Sequence, residues 1–190
     1  MIRVVRPEND VEDILAIYAP IIHKSHWSFE TEVPTTQEFQ KRIERIQDTH
    51  PYLVIQIDGR AMGYAYATRL RDRAAYDPSV ETSIYMHPDV HGKGLGRRLY
   101  SVLFSILELS GYSQLLAGAT LPNVGSAAFH EKMGFEHVGV WPKAGYKFSK
   151  WWDVGWWHKE IQPTNEDPLN IVEYQQLRSD PRFTEILKNA

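Results

Sequence analysis

Apolar and polar positions alternate over residues 2–6 with the two-residue period of a strand that buries one face. The period then changes. Val11, Ile14, Leu15 and Tyr18 recur at helical spacing, which predicts a helix capped by Asn9 or Asp10. A second helical repeat covers residues 39–46 behind a Thr35 or Thr36 cap. Two apolar runs, 52–57 and 61–68, flank Asp58-Gly59, a turn dipeptide suited to an antiparallel hairpin. After a polar, arginine-rich stretch over 69–78, a short strand is predicted at 83–86, and His87-Pro88-Asp89 breaks it. The glycine-rich turn 91–96 then opens a helix that carries Leu99, Val102, Leu103, Ile106 and Leu107 on one face. Further strands are predicted at 115–119 and 135–140, a helix at 126–133 between them, and an aromatic strand region at 147–159. From Gln162 onward the chain is polar, and Asp180-Pro181 has the form of a cap and first turn of a short closing helix.

Strands and helices in this order give an α/β fold, and 190 residues, 43% of them hydrophobic, close one core and not two. We therefore expect a single domain over 1–161 with a C-terminal extension over 162–190. A formal charge of -3 supplies no global basic field, so neither nucleic acid nor an anionic membrane is an expected partner. There is no cysteine, which removes disulfides, thiolate metal sites and cysteine nucleophiles. The eight histidines show no ligand spacing, and no metal is assigned. No stretch approaches the roughly 20 apolar residues of a membrane span, and the opening residues lack the apolar core of a signal peptide, so a cytoplasmic location is expected. Trp151, Trp152, Trp156 and Trp157 suit a buried or interfacial strand.

The densest chemical signal is His91-Gly92-Lys93-Gly94-Leu95-Gly96-Arg97-Arg98, between a predicted strand and a predicted helix. Glycines allow close backbone approach, exposed amides face an anion, and the helix dipole attracts it, so a diphosphate-bearing ligand is implied. The turn is not a P-loop, since no Gly-Lys-Ser/Thr closes it, and it lacks the acidic partner of a dinucleotide fingerprint.

That turn, Asn123-x-x-Ser126 before a helix, and His130-Glu131-x-x-Gly134-Phe135 after it together resemble the acetyl-CoA-binding half of the GNAT acetyltransferases. More narrowly, Ser28-Phe29-Glu30-Thr31-Glu32, Ala75-Tyr76-Asp77, residues 80–86, Gly145-Tyr146-Lys147-Phe148 and Trp152-Asp153-Val154-Gly155-Trp156-Trp157 resemble the phosphinothricin and methionine sulfoximine N-acetyltransferases. The resemblance spans about residues 2–159, with His91 where the family usually carries Gln or Arg.

The resemblance implies a mixed, mostly antiparallel sheet splayed near its centre, with acetyl-CoA in the splay. Ile84, Tyr85 and Met86 would pair with its pantetheine arm, His91, Gly92, Lys93, Gly94, Leu95, Gly96 and Arg97 would meet its pyrophosphate, and Asn123 and Ser126 would bind farther along. Taken as an isolated pair, Asn123 and Ser126 read as a turn and a helix cap. Acetylating an amine requires removal of a proton from the ammonium, and Glu81 matches the family's proposed base; its other reading is a counter-ion that positions the ammonium. His130, which alone reads as a helix-surface histidine, falls where the resemblance implies a general acid or proton shuttle for the departing thiolate. Arg71 and Arg73 suit capture of an acidic group on a small acceptor, against a reading as a solvated charged loop, and Phe29 and Glu30 would wall that pocket, in one version from a dimer partner. The implied activity is N-acetylation of a small amino-acid-like amine by a homodimer. The competing readings are acetylation of a protein or peptide amine, marked by an open groove, and a non-catalytic CoA-binding module.

Overall fold

Asp58 and Gly59 both take positive φ and close the hairpin that seeds the sheet. The computed structural model describes residues 1–164 and 167–190. Its first half contains β1 (Ile2–Val4), α1 (Pro7–Lys24), α2 (Thr36–Gln47), β2 (Tyr52–Ile57), β3 (Arg60–Arg69) and β4 (Ser79–Met86). There follow α3 (Leu95–Ser110), β5 (Gln114–Leu121), α4 (Val124–Lys132), β6 (Glu136–Lys147), β7 (Lys150–Glu160), α5 (Tyr174–Leu177) and α6 (Pro181–Lys188).

Three elements differ from the sequence expectation, each for a local physical reason. Asn9 and Asp10 do not cap α1. The helix begins earlier, at Pro7, whose missing N–H is harmless in a first turn. Asp10 is buried and accepts from the Arg6 amide at 2.7 Å and from the Arg3 guanidinium at 2.6 and 2.7 Å, so ion pairing to β1 claims it. Strand β4 starts at Ser79 because Val80 and Thr82 are buried and paired to β3. Lys147 ends β6 instead of opening the last strand, and Phe148 and Ser149, at φ 53° and 57°, make the turn into β7 without a glycine to announce it. The Thr35 cap of α2 is present as a full capping box with Glu38.

The seven strands lie in the order β1-β2-β3-β4-β5-β7-β6. Every neighbouring pair is antiparallel except β4 and β5, which are parallel and pair only at Ser79, Val80 and Glu81 opposite Gln114, Leu115 and Leu116. Beyond Glu81 the two strands part. One edge of β4 thus leaves the ladder, and the sheet splits into a β1-β2-β3-β4 half and a β5-β7-β6 half.

Each face of the sheet has its own core. Leu99, Leu103 and Ile106 of α3 pack on Leu53, Ala65 and Val80, while Ile14 of α1 and Ile43 of α2 cover Tyr52, Val54 and Tyr64 on the other side. Tyr174, Leu177 and Phe183 of the C-terminal segment join the α3 core, and Val172 N–H donates to the Ser110 carbonyl at 2.9 Å. Among the described residues no helix is long and apolar enough to cross a membrane.

Candidate active site

Where β4 and β5 part, a cleft of about 770 Å³ opens, walled by β4, the turn before α3 and the first turns of α4. Gly92 and Gly94 sit at φ 73° and 75°, and a Cβ built on either would meet nothing within 4 Å, so both present backbone to open space. Gly94 is the N-cap of α3 and no side chain caps that terminus, which leaves its first amides for a ligand. His91 donates from Nε2 to the Met86 carbonyl at 3.0 Å, tying the turn to the end of β4. Leu95, Gly96 and Arg97 line the cleft and Lys93 does not. Asn123 is the N-cap of α4, its Oδ1 accepting from the Ser126 amide at 3.1 Å, and both residues line the cleft.

His130 lies buried in the cleft wall. Its Nδ1 is 2.8 Å from the Ser126 carbonyl, an acceptor, so Nδ1 carries the proton and Nε2 is left facing the Tyr100 hydroxyl at 3.5 Å. Tyr100 is in turn 2.6 Å from Thr82 Oγ1. Burial pushes the His130 pKa below its ordinary value and the Ser126 carbonyl only partly opposes this, which favours the neutral ring.

The alternation of β4 separates the predicted residues. Thr82, Ile84 and Met86 pack toward α3, whereas Glu81, Ser83 and Tyr85 face α1 and α2, opposite Thr68, Tyr66 and Tyr64 of β3. Glu81 is half-buried. Burial raises its pKa and the Arg71 charge partly holds it down. Arg71 itself is exposed and donates to the Leu70 carbonyl at 2.8 Å. Arg73 stays in the exposed turn 73–76. Glu30 accepts from Arg42 at 2.6 Å and from the Tyr18 hydroxyl at 2.9 Å, and Phe29 lies against Gly145. Arg42, Tyr66 and Tyr100 carry no motif. Only the register of β3 and β4 and the packing of α2 and α3 bring them to the site.

A model of the acetyltransferase (GNAT) domain matches residues 2–156. The chain belongs to the GNAT acetyltransferases. Phosphinothricin N-acetyltransferase of Streptomyces viridochromogenes is 36% identical to this GNAT acetyltransferase over 171 residues, covering 88% of the chain and 93% of that protein. The L-methionine sulfoximine/L-methionine sulfone acetyltransferase of Pseudomonas aeruginosa is 30% identical over 162 residues, 84% of the chain and 94% of that protein. A solved phosphinothricin acetyltransferase from Sinorhizobium meliloti in complex with AcCoA superimposes with a TM-score of 0.83 at 29% identity, covering 92% of this chain and 97% of that one. The GNAT acetyltransferase described here is accordingly an acetyl-CoA-dependent N-acetyltransferase, and its unladdered β4 edge and glycine-framed amides fit that co-substrate.

Proposed function

We propose that the acceptor is the amine of a small amino-acid-like molecule of the phosphinothricin or methionine sulfoximine/sulfone type. The observation that carries this is the half-buried carboxylate of Glu81 on the α1 side of β4, at the point where β4 and β5 part, with the Arg71 charge lowering its pKa. A zwitterion divides naturally between them, ammonium to the carboxylate and acidic group to the guanidinium. The relatives' names point the same way.

Acetyl-CoA supplies the activated acyl group. Ile84, Tyr85 and Met86 hold its pantetheine arm along the free β4 edge, the amides of the 91–97 turn hold its pyrophosphate, and Asn123 and Ser126 flank the arm from α4. Glu81 takes a proton from the acceptor ammonium, directly or through water. His130 serves the departing thiol as a shuttle and not as a resident donor, because its only proton is held by the Ser126 carbonyl and any transfer runs through Nε2. Residues 1–161 form the catalytic unit, and Tyr174, Leu177 and Phe183 of the C-terminal extension pack into the α3 core.

We further propose a homodimer. Trp141, Tyr146, Phe148 and Trp151 on the β6–β7 hairpin are each more than half exposed, more apolar surface than a lone domain usually leaves in one place. Dependence on a metabolic thioester supports a cytoplasmic site of action. An acetyl-CoA-dependent thiol-release screen over amino acids, their sulfones and sulfoximines, phosphinothricin, polyamines and peptides tests the acceptor class. Turnover of polyamines or peptides alone would refute it, and light scattering of a monomer at all concentrations would refute the dimer.

A further inference from the structure

Residues 25–30, the first part of the 25–35 connection between α1 and α2, do not stay on the half of the sheet that carries those helices. They reach across the split to the β5-β7-β6 half. His26 stacks on Trp152 of β7 at 3.8 Å between centroids and 3° between planes, and its Nε2 donates to the Pro122 carbonyl at 3.0 Å. Phe29 covers Gly145 of β6, where any Cβ would overlap its ring. Lys147, only 5% exposed at the end of β6, donates from Nζ to the Ile22 carbonyl and to the Ser28 carbonyl, both at 2.7 Å. The other margin of the segment is tied to its own half, through Ser28 to Tyr18 at 2.8 Å and Glu30 to Arg42.

A buried ammonium is costly, and an apolar side chain of the same length would fill the space without that cost. What it would lose is the grip on two carbonyls contributed by another part of the chain. One of these, Ile22, lies in the last turn of α1, where the helix dipole favours a cation. The segment so gripped runs over the same face as Glu81, since Tyr18, hydrogen-bonded to Glu30, stacks edge-on against Tyr85 at 5.3 Å. An extended peptide bound at Glu81 needs a groove open between this segment and the hairpin. Here that passage is bridged.

We infer that Lys147 is a positioning residue that sets acceptor size: with Gly145 and the His26–Trp152 stack it clasps residues 25–30 across the split sheet, admitting a free amino acid or its analogue to Glu81 and excluding a peptide or protein terminus. The inference rests on the reading of Glu81 as the acceptor's base, so its test has one arm that needs no acceptor. Lys147→Met removes the charge and keeps the bulk, His26→Ala releases the surface stack without touching the buried lysine, and Lys147→Arg restores a donor. In both loosening variants the amides of residues 25–30 should exchange at least about tenfold faster while those of α3 do not change. The kcat/KM for methionine sulfone should fall about tenfold, chiefly through KM, and that for a hexapeptide with a free N-terminal alanine should rise by a similar factor, with unchanged acetyl-CoA affinity and partial recovery in Lys147→Arg. Unaltered exchange in both variants, or a wild-type enzyme that acetylates the hexapeptide as well as methionine sulfone, would overturn the inference. A wild-type enzyme that uses neither probe yet shows the exchange response supports the clasp and counts against the acceptor assignment.

Discussion

The two faces of β4 offer a ligand different kinds of surface. On the α3 side the recognition surface is backbone: a strand edge freed from its ladder, glycines at positive φ and a helix terminus without a side-chain cap. On the α1 side it is side chains, with Glu81 half-buried and its pKa raised by burial and partly lowered by the Arg71 charge, and Glu30 held between Arg42 and Tyr18. A backbone site is insensitive to the identity of most neighbours and fails when something blocks its approach. A side-chain site fails when one charge is removed, because the partner is left half-buried and uncompensated.

The largest expected effect falls on the charged face. Glu81→Gln should lower kcat by roughly 10²–10⁴-fold while leaving the acetyl-CoA dissociation constant unchanged, measured by steady-state kinetics and calorimetry. A variant that loses both would show that the faces are not separable. If Glu81 is only a counter-ion, KM for the acceptor rises and kcat holds.

On the backbone face, Gly94→Val puts a β-branched residue at φ 75°, at a cost of about 1–2 kcal/mol, and a side chain where the pyrophosphate approaches. Acetyl-CoA affinity should fall at least tenfold, about 1.4 kcal/mol, with kcat at saturating donor near wild type. Because the built Cβ meets no protein atom, the loss reports ligand approach and not disrupted packing.

The subtlest test is electrostatic. Arg71 lowers a Glu81 pKa that burial raises, so Arg71→Ala should lift that pKa further. The base must be ionised to act. The acidic limb of the kcat/KM profile should therefore move to higher pH, with KM for the acceptor raised about tenfold and the limb position of Arg73→Ala unchanged. Coincident limbs in wild type and Arg71→Ala would dissociate the two residues.

Features encoded within a few residues were legible from the sequence: the Asp58-Gly59 hairpin, the Thr35–Glu38 capping box, and the glycine turn before α3. Each depends on φ preferences and hydrogen bonds that close within one turn of chain. Residues 81 and 130 were found by resemblance, but nothing local showed that they approach the split from opposite faces. That follows from the start of β4 at Ser79 and from the packing of α3.

The sequence by itself determined which short segments form helices, hairpins and a glycine turn, and that no cysteine side chain of these residues takes part in the chemistry. Only the tertiary structure decided that β4 and β5 pair for three residues and then part, that Asp10 serves Arg3 instead of a helix cap, that Arg42 secures Glu30, and that a lysine 119 residues from Ser28 bonds its carbonyl. The physical reason is the range of the interactions. Turns and caps are fixed by neighbours in sequence, whereas buried charges and split strands take their energy from partners that the fold must first bring together.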